Sequence, residues 1–273
     1  MTARRAVRNA WVTWGIVYRF LATPRWLGYA ALTLVAATVM VFLGLWQLDR
    51  YHQRTDINNR IDAGGVATPV AIERVLPGPP AGTKGVGPAP APAVTWTRVT
   101  ATGHFDREHE VLIRGRTVDG SVGFEVVTPL VLSNGTAVLV DRGWVAPASG
   151  GALVAPAVPP APGGEVTIDG RLHPPESRGT TPQTVERHLE TRRITPRAMA
   201  EVMPYPLFNA YIGADKTQAG LSPVTPEKEN ALQNGGYVIQ WWLFAAGALY
   251  GFYYVARKEA RGPVEPREDK LAV

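Results

Sequence analysis

The sequence predicts a membrane α+β protein, with two transmembrane helices flanking an extracytoplasmic, mainly antiparallel β domain that carries one or two short helices. Three observations carry this. Leu27–Leu48 (LGYAALTLVAATVMVFLGLWQL) and Tyr237–Ala256 (YVIQWWLFAAGALYGFYYVA) contain no Asp, Glu, Lys, Arg or His. At 22 and 20 residues, each is long enough to cross a hydrocarbon core of about 30 Å as a helix. The formal charge of +5 is unevenly spread: Arg4, Arg5, Arg8, Arg19 and Arg25 precede the first segment with no acid among them, while residues 49–236 are close to neutral. Between the two apolar segments, β-branched and apolar residues alternate in short runs, one pair of which is joined through Asn134-Gly135.

Basic flanks remain on the cytoplasmic side of a membrane, and Arg257, Lys258 and Arg261 follow the second segment. Both termini are therefore expected in the cytoplasm, giving a multi-pass chain with five parts. These are a basic tail (1–26), a first span (27–48), an extracytoplasmic β domain (49–236), a second span (237–256) and a cytoplasmic tail (257–273). The pI of about 9.6 reports the basic tail and not a nucleic-acid-binding face. The N-terminal 25 residues lack Ser, unlike a mitochondrial transit peptide, which favours a bacterial plasma membrane over the mitochondrial inner membrane. In the tail, Trp11, Trp14, Val17 and Leu21 fall on one helical face, so the segment either lies as a helix among lipid headgroups or is a disordered tail with chance aromatics.

Within 49–236, Pro77–Ala93 and Pro147–Gly164 are too rich in Pro, Ala and Gly to build a core and read as loops or extended linkers. Strands are expected over 95–105, 110–118, 122–132, 136–145, 165–173 and 207–214. A short helix is expected from Thr195-Pro196 to about Met203, with Pro at its first position. Taking Asn134-Gly135 as a two-residue hairpin loop places Arg142 opposite Val127 and Glu125 opposite Trp144, so that Arg142 and Glu125 become diagonal neighbours able to form a surface salt bridge. Pro129 has no amide donor and implies an edge or a bulge.

The chemistry available is limited. With no Cys, thiolate ligation is excluded; with only four Met a Met-rich copper site is not expected, and the five His form no closely spaced pair. No hydrolase, metalloprotease, P-loop or dinucleotide fingerprint is present, and the chain is read as a non-enzyme. The candidate binding residues form three groups. Trp46, Gln47 and Arg50 stand at the outer end of the first span, and Tyr237, Gln240 and Trp241 share one face at the start of the second. Gln47 and Gln240 either bond to each other, since lipid offers a buried amide no partner, or join a polar–aromatic patch facing a partner protein or ligand. Arg142, Gly143 and Trp144 end the hairpin. Arg114 and Arg116 share a face of the preceding strand, either solvated or paired with acids, or able to bind carboxylates such as haem propionates.

In this order, GLWQLDR, GFEVVTPLVLSNGTAVLVDRGWV and YVIQWW resemble the surfeit-locus-one family over nearly the whole chain. The positions that carry the resemblance are Trp46, Gln47 and Arg50, then Gly123, Pro129, Arg142, Gly143 and Trp144, and finally Tyr237, Gln240 and Trp241. The resemblance implies an assembly factor, in effect a chaperone, for the haem–copper cytochrome c oxidase of a respiratory chain. Its implied partners are oxidase subunits, the catalytic haem-bearing one first, and membrane lipid. Its implied cargo is haem a, met transiently. A permanent accessory subunit of the oxidase or of a respiratory supercomplex is the alternative. Many relatives carry a His just before the second span, where this chain reads Gln233-Asn234-Gly235-Gly236. His52 is the candidate substitute.

Overall fold

The computed structural model describes residues 18–79, 83–151 and 154–262. Most of the segment 11–21 lies outside them, and its described end is a 3-10 turn over Arg19–Ala22. The chain forms two compact units, a helical one up to Asp56 and from Glu229, and a β unit from Ile57 to Lys228.

Helix α1 runs from Pro24 to Val66. By length and composition it can cross a membrane, and only 11% of its most apolar window is buried. Leu32, Val35 and Phe42 project outward, as lipid-facing residues do. The helix does not stop at Leu48, where the apolar run ends. Polar residues carry it on with their own i,i+4 support: Gln53 Nε2 donates to Asp49 Oδ2 at 2.6 Å, and Thr55 Oγ1 to the Tyr51 carbonyl at 2.8 Å. Helix α4, Ala231–Ala260, contains the second apolar segment and starts six residues before it. Asn230 caps it, its side chain accepting from the Gln233 amide at 3.2 Å, and Arg257 and Lys258 sit in the last turn, where a helix favours cations. Among the described residues, α1 is the helix that meets the length and hydropathy of a span. Six of the residues in 237–256 are Trp or Tyr, whose ring N–H and O–H groups lower its hydropathy. The two helices are antiparallel. Trp26 meets Phe252 edge-on at 6.0 Å, and Trp242 lies over Gly44, where a Cβ would come within 2.5 Å of its ring.

The β unit has nine strands among the described residues: β1 (Val70–Ala71), β2 (Arg98–Phe105), β3 (Val111–Val118), β4 (Ser121–Leu132), β5 (Ala137–Val145), β6 (Glu165–His173), β7 (Gln183–Val185), β8 (His188–Thr191) and β9 (Leu207–Ala214). Their order is β1-β2-β6-β9-β5-β4-β3-β8-β7, and a further β2–β4 pairing closes β2, β6, β9, β5 and β4 into a ring. Most pairings are antiparallel; β1–β2, β3–β8 and β5–β9 are parallel. The interior of the ring takes residues from all five strands, including Val99, Leu130, Val140, Leu172 and Phe208, and the short helix α2 (Ile72–Val75) adds Ile72 and the following Leu76. On the outer face, Val127, Leu139 and Tyr211 pack against Met199 of helix α3 (Pro196–Met199), which ends short of Met203. Because β5 is covered on both faces, its first four residues, Ala137–Val140, read as an apolar run and not as an alternation, and the Asp141 and Arg142 that follow are buried charges.

Two irregularities correct the expected hairpin. Three residues, Ser133-Asn134-Gly135, form the loop, with Gly135 left-handed at φ 78° and Leu132 and Thr136 closing it. Near the turn the register is therefore Val127↔Asp141, and a bulge restores Glu125↔Trp144 further on. Arg142 and Gly143 together oppose Val126, with Gly143 at φ 134°. Arg142 is consequently not opposite Val127, and its ion pair is with Glu110, not Glu125. A second bulge at Gly115 (φ 76°) separates Arg114 from Arg116, so they do not share a face. Pro129 lies where β4 exchanges neighbours, between its last pair with β3 at Val127 and its first with β2 at Leu130.

At Gly143 an added Cβ would meet the Ser222 carbonyl oxygen at 2.7 Å in a backbone region closed to L residues, whereas at Gly135 it would meet nothing. Gly143→Ala should cost about 2 kcal/mol or more, against less than about 0.5 kcal/mol for Gly135→Asn, as read from urea unfolding of the full chain in detergent.

Candidate functional site

Arg142 is 4% exposed and sits at the bulge of β5. Its Nη1 donates to Glu110 Oε2 at 2.6 Å and to Thr128 Oγ1 at 3.3 Å; its Nη2 donates to the Pro159 carbonyl at 2.7 Å and to Gln218 Oε1. Gln218 Nε2 in turn donates to the Pro160 carbonyl at 2.8 Å. The guanidinium also lies 5.9 Å from the Phe105 ring centroid. Burial pulls its pKa down, and the Glu110 carboxylate opposes this. The second Pro-rich segment, expected to be a linker, is therefore folded onto the β unit: it supplies a carbonyl to Arg142 while Ala155 and Val158 pack on Leu112, Phe124 and Val126.

Trp144 is 8% exposed. Its Nε1 donates to the Arg116 carbonyl at 3.0 Å, and its ring crosses Gly123, where a Cβ would sit 2.5 Å from the indole. The neighbouring Arg116 holds Glu125 at 2.9 Å and Glu176 at 2.7 Å, which answers the choice left open for this arginine. Glu176 also accepts from the Ile194 amide at 2.8 Å, and Asp141 from the Gly143 amide at 3.0 Å. Burial, followed by the charge of Asp141, pushes the Glu125 carboxyl up to about 8. Chemically, the D-R-G-W segment is a clamp: both terminal nitrogens of Arg142, the Gly143 amide and the Trp144 indole donate inside the protein, and Arg142 Nε is buried without a partner.

The other candidates lie in the helical unit. Trp46 is 53% exposed, with the Arg50 guanidinium 5.7 Å from its ring centroid, one turn on. Tyr237 and Gln240 are exposed and Trp241 is half-buried against Phe244. Gln47 does not meet Gln240: its Oε1 accepts from Asn234 Nδ2 at 2.7 Å. Asn234, Glu110, Thr128 and Gln218 were not singled out by sequence. Asn234 carried a usable signal, an amide at the depth where Gln47 needs a partner, whereas Glu110 and Gln218 lie 32 and 76 residues from Arg142 with nothing local to mark them.

Among the described residues the histidines do not gather into a shared centre. His52 is exposed, His109 Nδ1 is 2.7 Å from Asp106 Oδ2, and His173 lies between Trp96 (4.5 Å) and Tyr211 (4.7 Å). Burial, aided by Arg171, lowers the His173 pKa to about 4. Among the described residues no group of three or more His, Asp or Glu could hold a metal ion.

Two outcomes follow from this geometry. Arg142→Met should cost about 3–5 kcal/mol in denaturant unfolding by leaving Glu110 uncompensated, and adding Glu110→Gln should recover more than half of that. Glu125, with a folded pKa above its ordinary 4.5, contributes stability that is complete below about pH 4.5 and lost as pH rises through about 8. Glu125→Gln should therefore flatten the fall in urea midpoint between about pH 5 and 8.

A sequence model of the SURF1 family matches residues 34–246. An uncharacterized SURF1-like protein of Mycobacterium tuberculosis is 33% identical over 249 residues, covering 89% of this chain and 87% of its own length. A SURF1-like protein of Monosiga brevicollis is 26% identical over 248 residues (82% of this chain, 87% of its own), and one of Dictyostelium discoideum is 30% identical over 104 residues (38% and 37%). The match runs from within α1, through the clamp on β5, into α4, and the chain belongs to the SURF1 family.

Proposed function

We propose that this chain is a biogenesis factor for haem–copper cytochrome c oxidase, assisting haem a insertion into the catalytic subunit or holding that subunit's assembly intermediates. Family membership across 34–246 is the observation that carries the reading. The chain crosses a bacterial plasma membrane twice, through α1 and α4, with both termini in the cytoplasm. The ionisable-free run in α4, the Arg-rich start and the basic residues after Ala256 support that topology. A mycobacterial relative is consistent with a bacterial membrane.

The factor works by binding and catalyses nothing. Trp46, Tyr237 and Gln240 are exposed, and a glutamine and two aromatics on apolar helices are groups that another membrane subunit can cover and satisfy. Haem a is cargo in this scheme. The first turn of α4 offers no imidazole, and Asn234 within it is bonded to Gln47, so the chain positions the receiving subunit and does not ligate the iron from that turn. The clamp around Arg142 keeps the β unit rigid while it shields the site being filled.

Removing this chain from its host should reduce the haem a band in a reduced-minus-oxidised membrane spectrum by more than half. The wild-type chain should restore it, and a chain carrying Trp46→Ala and Gln240→Leu should not, although its level in the membrane is unchanged. An unaltered band without the chain would reject the reading in favour of an accessory subunit.

A further inference from the structure

At one end of the β unit, Arg98 of β2 and Arg171 of β6 are direct cross-strand partners. Like charges opposite one another destabilise a sheet unless something lies between them. Arg98 is answered: its Nε donates to Asp215 Oδ2 at 2.7 Å and its Nη1 to the Ala67 carbonyl at 3.2 Å. Arg171 is half-buried, its Nε is out of solvent with no hydrogen-bond partner, and no carboxylate among the described residues forms an ion pair with it. Both arginines line a cavity of about 250 Å³, whose wall includes Gly65, His173, Gly213, Asp215 and Thr225. Two of these lining residues are glycines where a side chain would intrude on the basic groups: a Cβ at Gly65 would lie 3.0 Å from Arg171 Nη2, and one at Gly213 would lie 2.7 Å from His173 Nε2.

We propose that this cavity is a binding site for a carboxylate group, held by the unpaired guanidinium of Arg171 beside the Arg98–Asp215 pair. The charge balance selects the ligand class. Arg98 and Arg171 against Asp215 leave one positive charge, which a monoanion neutralises and a dianion overfills. The planar fork of a guanidinium matches a carboxylate with two parallel hydrogen bonds. His173, kept neutral by burial, adds no second charge at ordinary pH and leaves a ring nitrogen as a further polar contact. The cavity's size fits a small organic acid or the carboxylate of a chain terminus. A competing role for Arg171 is compensation of the α1 C-terminal carbonyls near Gly65, which leaves the Nε unsatisfied and predicts a different outcome below.

The test uses the full chain in detergent micelles, titrated calorimetrically with sodium butyrate, neutral butyramide, inorganic phosphate, and triglycine with a free or an amidated C-terminus. Butyrate, free-terminus triglycine or both should bind while butyramide and amidated triglycine do not, and Arg171→Gln should weaken binding about tenfold or more. Butyrate alone identifies a free acid, and the tripeptide as well identifies a chain terminus. Arg171→Gln should also leave the thermal midpoint unchanged or raise it, because it removes half of a like-charge pair. Equal or tighter binding of phosphate, no binding of either carboxylate, binding unaffected by Arg171→Gln, or a lowered midpoint in that variant would each overturn the proposal. None of these outcomes depends on oxidase assembly.

Discussion

A guanidinium placed almost wholly out of water must find partners for its hydrogens, and much of the β unit is arranged around that requirement at Arg142. The bulge at Arg142-Gly143 turns the side chain towards Glu110, Thr128, Pro159 and Gln218. Those partners come from the β2–β3 connection, β4, the Pro-rich connection before β6, and the loop after β9. One charge thereby fixes three segments that regular pairing alone would leave loose. Gly143 is the residue that makes the bulge possible, Trp144 closes it over Gly123, and the Ser222 backbone brackets it by exchanging two hydrogen bonds with Trp144 at 2.8 and 2.7 Å.

The helical unit solves a related problem with less charge. An amide near the end of an apolar helix needs a protein partner, and Gln47 Oε1 accepts from Asn234 Nδ2 across the pair, while Asn234 Oδ1 is buried without one. Just beyond, Arg54 meets Glu229 at 3.5 Å and the Asn230 carbonyl at 3.2 Å, so polar contacts gather at one end of the helix pair. Towards the other end the contacts are aromatic on glycine or aromatic on aromatic. The contact chemistry of the helix pair therefore changes along its length, from polar at one end to aromatic at the other.

The long strands and the first apolar helix were legible because their signals are local: β-branched runs, an Asn-Gly turn, and a stretch without ionisable residues. The strands β1, β7 and β8 were not, since segments of two to four residues carry too little periodicity to register. The errors at Arg142 and at Arg114/Arg116 have one cause. Each side-chain direction was inferred from strict alternation, and a single bulge residue inverts it. The family motif drew attention to Arg142, Gly143 and Trp144, but a motif does not say whether its residues point inward or outward. Glu110 and Gln218 escaped notice because long-range partners leave no mark on the local pattern, and the Arg98–Arg171 pairing needed a register that only the folded sheet supplies.

Closing β2, β6, β9, β5 and β4 into a ring has a consequence for how copies of this chain behave towards one another. An open sheet ends in a long row of unpaired amides and carbonyls that a neighbour can extend, which is the usual start of aggregation. Here the ordered sheet begins with the two residues of β1 and ends with the three of β7, too short to template a further strand. Chains tethered to a surface meet at high local concentration, so self-association through backbone pairing is suppressed by topology, without the charged gatekeepers that open sheets need.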